Sequence, residues 1–299
     1  MPSLHICNTF FEQELEAAQM RPLKNWLCSN PQIEQLQSLP LLFAGPEDKV
    51  LVTHLPTDAR HCHIDKPPNL PIVDWGASGA IAQYAKKHGL SYAHPNLDLV
   101  RQIQSKSFAF QCHPLPGAAL LYTPQEVSTW MEKTPGPKVL KRVLGFAGRG
   151  HFFSGNLDSF LAREFSQNRP VLGEPWLSRT LDFSSQWEVG ETVQLIGVTQ
   201  FEASQRGTYL ATLPVEERYR HFIDRHLEVA WPIVQKIQKM GFFGSLGIDA
   251  FVYGNGQVHP IVEVNARKTM GRVALEIQKY RGPVRMSFTR GKLDFTNII

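Results

Sequence analysis

The chain has 299 residues, 42% hydrophobic and 19% charged, with 21 prolines and 22 glycines spread along it, which describes a folded globular protein rather than a disordered tract. A net charge of +4 and a pI near 8.8 fall short of the clustered Lys/Arg stripe of a nucleic-acid binder and suit an anionic small molecule. Apolar runs such as 39–44 are far below the roughly 20 residues of a membrane span, the N-terminus lacks the pattern of a secretion signal, and Cys7, Cys28, Cys62 and Cys112 form no CxxC pair. The expected setting is therefore cytoplasmic, with reduced thiols and with neither membrane nor nucleic acid as partner.

Residues 1–105 read as a self-contained α/β unit, with helical spacing over 12–20, a β-branched strand over 50–54 and a helix over 79–88 after a turn at Trp75 and Gly76. His61, Cys62 and His63 fit no closed zinc pattern and read as a surface loop. A second segment follows, with a helix from Ser105, a strand over 119–123, and a helix over 124–133 that carries Thr123 as its cap and Pro124 at its first position. The strand over 138–144 runs into a glycine-rich loop, 145–150. A strand over 169–172 ends at Glu174, Pro175, Trp176 and Leu177, and further strands are expected over 190–199 and 208–213. A long helix is expected over 216–240, kinked or divided at Pro232. A hairpin comes next, with strands over 248–253 and 258–265, then a helix from Gly271 to about 280; residues 281–299 carry no readable signal.

The hairpin carries the chemistry. Glu263, Asn265 and Arg267 stand at i, i+2 and i+4, so a strand points all three to one face and Val262, Val264 and Ala266 to the other. A carboxylate and an amide oxygen are hard ligands of the kind Mg²⁺ accepts, and an arginine beside them can neutralise a phosphate. Asp249 on the partner strand completes the set if it lies opposite Glu263, at about 5 Å between Cβ atoms. A two-residue loop at Asn255 and Gly256 would pair Asp249 with Val262 and split the carboxylates between faces; a three-residue loop over 255–257, or else a bulge, puts Asp249 opposite Glu263. An odd loop or a bulge is therefore expected.

With Asp249 in Gly247-Ile-Asp249-Ala-Phe and Glu263-Val-Asn265-Ala-Arg267 fourteen residues on, the sequence resembles the ATP-grasp superfamily, whose metal site is an acidic residue on one strand and E-x-N, extended in several members to E-x-N-x-R, on the next. The resemblance covers about 106–277 and implies an α/β fold: an N-terminal pre-ATP-grasp-like domain, 1–105, then a two-lobed fold with ATP between two sheets, its lobes 106–185 and 186–280, and a tail 281–299. It implies Asp249, Glu263 and Asn265 as ligands of Mg²⁺ or Mn²⁺, and Lys141 as the strand lysine on the ATP phosphates. It further implies Gly148, Arg149 and Gly150 as a glycine flap, Lys106 as an earlier nucleotide contact, and Glu174, Trp176 and Leu177 as the hinge at the adenine. Asp182 and Gln186 fall where members make further polar contacts, and Arg206 and Arg272 are candidate anion contacts. Where D-alanyl ligases carry an arginine two residues before the metal aspartate, this chain has Gly247, so Arg267 would supply that charge. The implied activity is a carboxylate–amine ligase acting through an acyl phosphate, with Lys141 and Arg267 stabilising the moving phosphoryl group and an amino acid or peptide-like substrate; a small-molecule kinase and a non-catalytic ATP binder are the alternatives. A homo-oligomer is left open.

Overall fold

A computed structural model describes residues 1–17, 20–145, 150–289 and 292–298. Its strands fall into three sheets in chain order. The first holds β1 (Leu4–Ile6), β2 (Lys49–Val52), β3 (His61–His63) and β4 (Ile72–Asp74), all parallel, in the order β3-β2-β1-β4. The second holds β5 (Ala119–Leu121), β6 (Lys138–Arg142), β7 (His151–Phe152) and β8 (Val171–Pro175), antiparallel, in the order β5-β8-β6-β7. The third is a seven-stranded antiparallel sheet, β13-β12-β9-β10-β11-β14-β15. It comprises β9 (Arg179–Val189), β10 (Val193–Ala203), β11 (Tyr209–Pro214), β12 (Gly244–Tyr253), β13 (Gln257–Asn265), β14 (Val284–Thr289) and β15 (Lys292–Asn297).

The helices are α1 (Phe11–Glu16), α2 (Leu23–Leu27), α3 (Pro31–Leu36), α4 (Gly79–His88), α5 (Leu97–Gln104), α6 (Lys106–Cys112), α7 (Pro124–Lys133), α8 (Leu157–Phe165), α9 (Arg220–Lys239) and α10 (Met270–Arg281). Local chemistry sets their ends. Thr123 and Glu126 form a reciprocal capping box on α7, with Pro124 in the first turn where no N–H is needed. Ser78 caps α4 by accepting from the Ile81 N–H, and Gly89 closes it in the left-handed region at φ 66°. Of the kink or division expected at Pro232, α9 shows no division and runs through as one helix: Ala230, Val234 and Ile237 are buried against the third sheet, and that packing outweighs the loss of one helical hydrogen bond.

Two further expectations need correcting. The boundary at 185/186 falls inside β9, whose inward residues Leu181, Phe183, Ser185, Trp187 and Val189 alternate with Asp182, Ser184 and Gln186. Residues after Arg281 are no separate tail, because Val284 and Met286 are fully buried and β14 pairs with β11.

Each sheet has its own buried core, and the C-terminal ends of the parallel strands abut the end of β13. Asn8, just past β1, donates to the Gly76 carbonyl at 2.7 Å and accepts from the Trp75 N–H at 2.9 Å; the Trp75 carbonyl in turn accepts from the Lys268 N–H at 2.7 Å. Packing is tight in the second sheet, where a Cβ on Gly173 would come within 2.9 Å of three atoms of the Trp130 indole. Gly173→Ala is therefore expected to cost about 1–3 kcal/mol through overpacking, read as a lowered Tm, and an unchanged melt would show that Trp130 yields freely.

Candidate active site

β12 and β13 pair Asp249 directly with Glu263, and Gly247 with Asn265. The bulge brings this about, and the expected loop over 255–257 gives way to one over 254–256. The loop is three residues, since Tyr253 pairs with Gln257, and Gly254 and Gly256 take φ of 54° and 81°. That loop alone would set Asp249 against Ile261. An irregularity between Asp249 and Phe251, where residues 260–262 face the single Ala250, advances the register by two and delivers Glu263. Pro260 lies at this point, where a residue without an N–H is tolerated in a sheet.

The paired carboxylates face a cleft of about 240 Å³. Lys106, Lys141, Asp182, Asn265 and Arg267 line it with them, so seven side chains singled out in the sequence share one space. Arg267 does so from a different position than a strand would give. β13 ends at Asn265, whose carbonyl accepts from the Arg267 N–H at 2.8 Å, and the guanidinium is held by Glu12 of α1. Glu174 lies one layer behind, as the buried partner of Lys141 at 2.6 Å. Trp176 and Leu177 line an adjoining cavity of about 610 Å³ that shares Arg179, Asp182, Ala203 and Gly207 with the cleft. Arg206 also lines that second cavity, while Arg272 pairs with Glu188 and Glu276. Gly150 has φ 94°, and a Cβ there would meet the Arg142 side chain at 2.9 Å; Gly148 and Arg149 lie outside the described residues.

Among the described residues every lysine and arginine of the cleft is paired with an acid. Lys106 meets Glu263 at 2.8 Å, Lys141 meets Glu174, Arg179 meets Asp182 at 3.0 Å, and Arg267 meets Glu12. An anionic ligand entering the cleft has to compete with these carboxylates for the same cations. Burial pushes Lys141 below its ordinary value against the pull of Glu174. Burial raises Glu174, but the Lys141 charge and hydrogen bond outweigh it and hold the carboxyl low.

Asp249 is pushed up to about 6, first by burial and then by the Glu263 charge, with Ser184, Arg267 and Asn265 pulling the other way. Two carboxylates and an amide side chain on one face, with the carboxylates repelling each other, form a donor set suited to a hard divalent cation. Asn265 is buried and donates to Asp249 Oδ2 at 3.1 Å, which fixes its side chain within this set. Behind them Gln186 accepts from Thr269 at 2.7 Å and donates to Ser184 at 2.8 Å, and Ser184 lies opposite Asp249 on β9. Elsewhere, His61 bonds Ser38 and the Thr57 N–H, and among the described residues no group of three or more His, Cys, Asp or Glu is placed to hold a metal.

Two deeply buried histidines give a pH signature. Burial, ahead of every other cause, lowers His226 and His259 to about 4. Both are neutral in the fold, whereas an unfolded histidine titrates near 6.5. The unfolded chain therefore binds more protons between pH 6.5 and 4, so stability is complete above that window and falls as pH drops through it. For His226 the full loss is on the order of 3 kcal/mol at pH 4. Urea midpoints at pH 7 and pH 5 check it, with the difference expected to shrink in His226→Asn.

Sequence reasoning missed Arg179, Thr199, Tyr209 and Thr269, which also line the cleft. Arg179 stacks between the Trp176 and Phe251 rings at 5.0 and 4.3 Å, and the Phe251 contact, 72 residues away in sequence, has no local signal. Asp182, Ser184 and Gln186 share one face of β9, alternating with the inward Leu181, Phe183, Ser185 and Trp187.

No family model matches the chain. A curated relative, the butirosin acyl-carrier protein–L-glutamate ligase of Niallia circulans, is 31% identical over 137 residues, covering 44% of this chain and 33% of the relative, so the chain spans about a third of its length. Among solved structures, N5-carboxyaminoimidazole synthetase from Staphylococcus aureus complexed with ADP superposes with a TM-score of 0.59 at 13% identity, over 96% of this chain and 82% of that one. A biotin carboxylase–β,γ-ATP complex from Campylobacter jejuni gives 0.54 at 17% identity over 69% and 51%. A protein from Archaeoglobus fulgidus assigned to the ATP-grasp superfamily gives 0.54 at 12% identity over the whole of both chains. The chain has the ATP-grasp fold.

Proposed function

We propose that the chain is a Mg-ATP-dependent ligase that activates a carboxylate as an acyl phosphate and passes the acyl group to an amine. The observation that carries this reading is the pairing of Asp249 with Glu263 inside a cleft also lined by Lys106, Lys141 and Arg267. The fold supports it, as do the ADP and ATP complexes among its structural neighbours and the ligase activity in the curated relative's name.

Asp249, Glu263 and Asn265 would hold Mg²⁺, or Mn²⁺ in its place. When bound, the ion neutralises charge on the ATP phosphates. Lys141 and Arg267 present fixed positive charge to the phosphoryl group, Lys141 by exchanging Glu174 for phosphate and Arg267 from its seat on Glu12. A carboxylate oxygen attacks the γ-phosphorus and ADP leaves; the amine nitrogen then attacks the acyl carbon, phosphate departs, and the amine proton passes to solvent. No nucleophile from the protein is required. Trp176 and Leu177, beside the second cavity, would take the adenine, with 1–105 and the β10–β11 loop shaping the site for the other substrates. The division into 1–105, 106–185 and 186–280 belongs to this reading, with the middle boundary moved ahead of β9. The four cysteines are free and no described helix is long and apolar enough to cross a membrane, which suits the proposed cytoplasmic setting.

A screen of carboxylate and amine pairs for ADP and phosphate release tests the reading, with L-glutamate first because the relative's name includes it. Release of both products by the wild type and of neither by Glu263→Ala is expected. Transfer of one ¹⁸O from labelled carboxylate to phosphate would mark the acyl phosphate. ADP with a stable phosphoester and no free phosphate would make the protein a kinase, and nucleotide binding without either product a non-catalytic binder.

A further inference from the structure

Behind the β12–β13 hairpin, buried polar atoms form one directed chain. Trp187 Nε1 donates to Ser185 Oγ at 2.8 Å, Ser185 Oγ lies 2.7 Å from His226 Nε2, and His226 Nδ1 lies 2.8 Å from the Pro260 carbonyl oxygen. Trp187, Ser185 and His226 are all fully buried. The direction follows by elimination. A carbonyl only accepts, so Nδ1 carries the proton; the neutral ring then accepts at Nε2, and the serine hydroxyl donates there while accepting from the indole.

The chain ends at the residue where β13 departs from regular pairing. Phe251 pairs with His259 on one side of the irregularity and Asp249 with Glu263 on the other. If the register set by the hairpin loop continued unbroken, Glu263 would stand two residues from its place opposite Asp249, about 7 Å along the strand. His226, reaching from α9, supplies the Pro260 carbonyl with a donor inside the core at this point. A buried carbonyl stripped of its donor would have to move to find another.

We propose that His226 is a positioning residue for the divalent-cation site: by holding the Pro260 carbonyl it fixes the bulge that sets Glu263 beside Asp249. The inference rests on the Mg-ATP reading of the hairpin, and it gives a core histidine some way from the cleft a specific effect on cation affinity.

Two polar replacements separate positioning from mere core filling. The side-chain amide of His226→Asn can donate from near the Nδ1 position, whereas that of His226→Gln reaches the Nε2 position and leaves Pro260 without its donor. Val234→Ala, a fully buried truncation on the same helix, controls for lost stability. Mn²⁺ binding in the presence of ADP is measured by electron paramagnetic resonance, with thermal melts on the same samples. His226→Gln is expected to weaken Mn²⁺ binding about 10–100-fold, the range for residues that orient metal ligands, with His226→Asn recovering most of it and Val234→Ala binding as the wild type does. Wild-type affinity in His226→Gln, or an equal loss in Val234→Ala, would overturn the proposal. Glu263→Ala reports separately on the reading beneath it: unchanged Mn²⁺ binding there would remove the cation site itself, whatever the His226 variants do.

Discussion

Glu263→Gln is expected to lower kcat for ADP release on the order of 10³-fold while the protein still folds. Glutamine keeps the volume and hydrogen-bonding capacity of the side chain, so the loss is one negative charge at a fixed place. That charge does two things. It stands opposite Asp249 as half of the carboxylate pair, and it holds Lys106 at 2.8 Å. Burial, the larger cause of the rise of Asp249 to about 6, remains without it, but the Glu263 repulsion that adds to burial is lost, and Asp249 moves toward the ordinary carboxylate range. The remaining Asp249 and Asn265 supply one charged ligand in place of two. Turnover with the substrate pair found in the screen, alongside a thermal melt, checks the effect. A variant that turns over like the wild type would show that the hairpin carboxylates are structural.

The second large effect is on stability. Lys141 and Glu174 are 2% and 5% exposed and meet at 2.6 Å across β6 and β8. Lys141→Met leaves the Glu174 carboxylate buried without its partner, which costs about 3–5 kcal/mol, the range for breaking a buried pair by removing one member. Removing both charges with Lys141→Met and Glu174→Leu is expected to restore most of that loss, since two apolar side chains of similar size need no counter-ion. ATP affinity should not follow. If Lys141 exchanges Glu174 for phosphate, the double variant folds well and still binds ATP poorly. Urea unfolding and calorimetric titration of ATP separate the two quantities, and a double variant that recovers both would make the pair a structural device only.

What could be read from the residues alone divides along the range of the interactions involved. The two carboxylates were legible because a period of two ties the face of each side chain to the parity of the register, and parity needs only local spacing. The means of reaching that parity were only half legible. The glycines at 254 and 256 announced a turn, but the irregularity at Pro260 depends on the donor that His226 brings from α9, 34 residues away in sequence. β9 escaped notice because Ser184 and Ser185 interrupt its apolar alternation; Ser185 faces inward only because Trp187 and His226 satisfy its hydroxyl. The pattern Val284, Met286, Phe288 against Leu293, Phe295 was a strand signal in the segment read as a tail. Glu12, which seats Arg267 from 255 residues away, leaves no trace in local sequence at all.

The seat on Glu12 also explains how the parallel unit can matter to the cleft. Glu12 and Glu16 lie one turn apart on α1 and reach Arg267 beyond the end of β13 and Arg142 on β6, so a single short helix ties both sheets of the cleft to the N-terminal unit.

The pairing of Asp249 with Glu263 as a cation site for bound nucleotide is tested most directly by calorimetric titration of ADP, with Mg²⁺ and with EDTA, into the wild type and Asp249→Asn. Mg²⁺ is expected to tighten ADP binding to the wild type by at least about tenfold, or about 1.4 kcal/mol, and to leave the variant almost unaffected. Equal tightening in both proteins, or none in the wild type, would contradict a cation site at these two carboxylates.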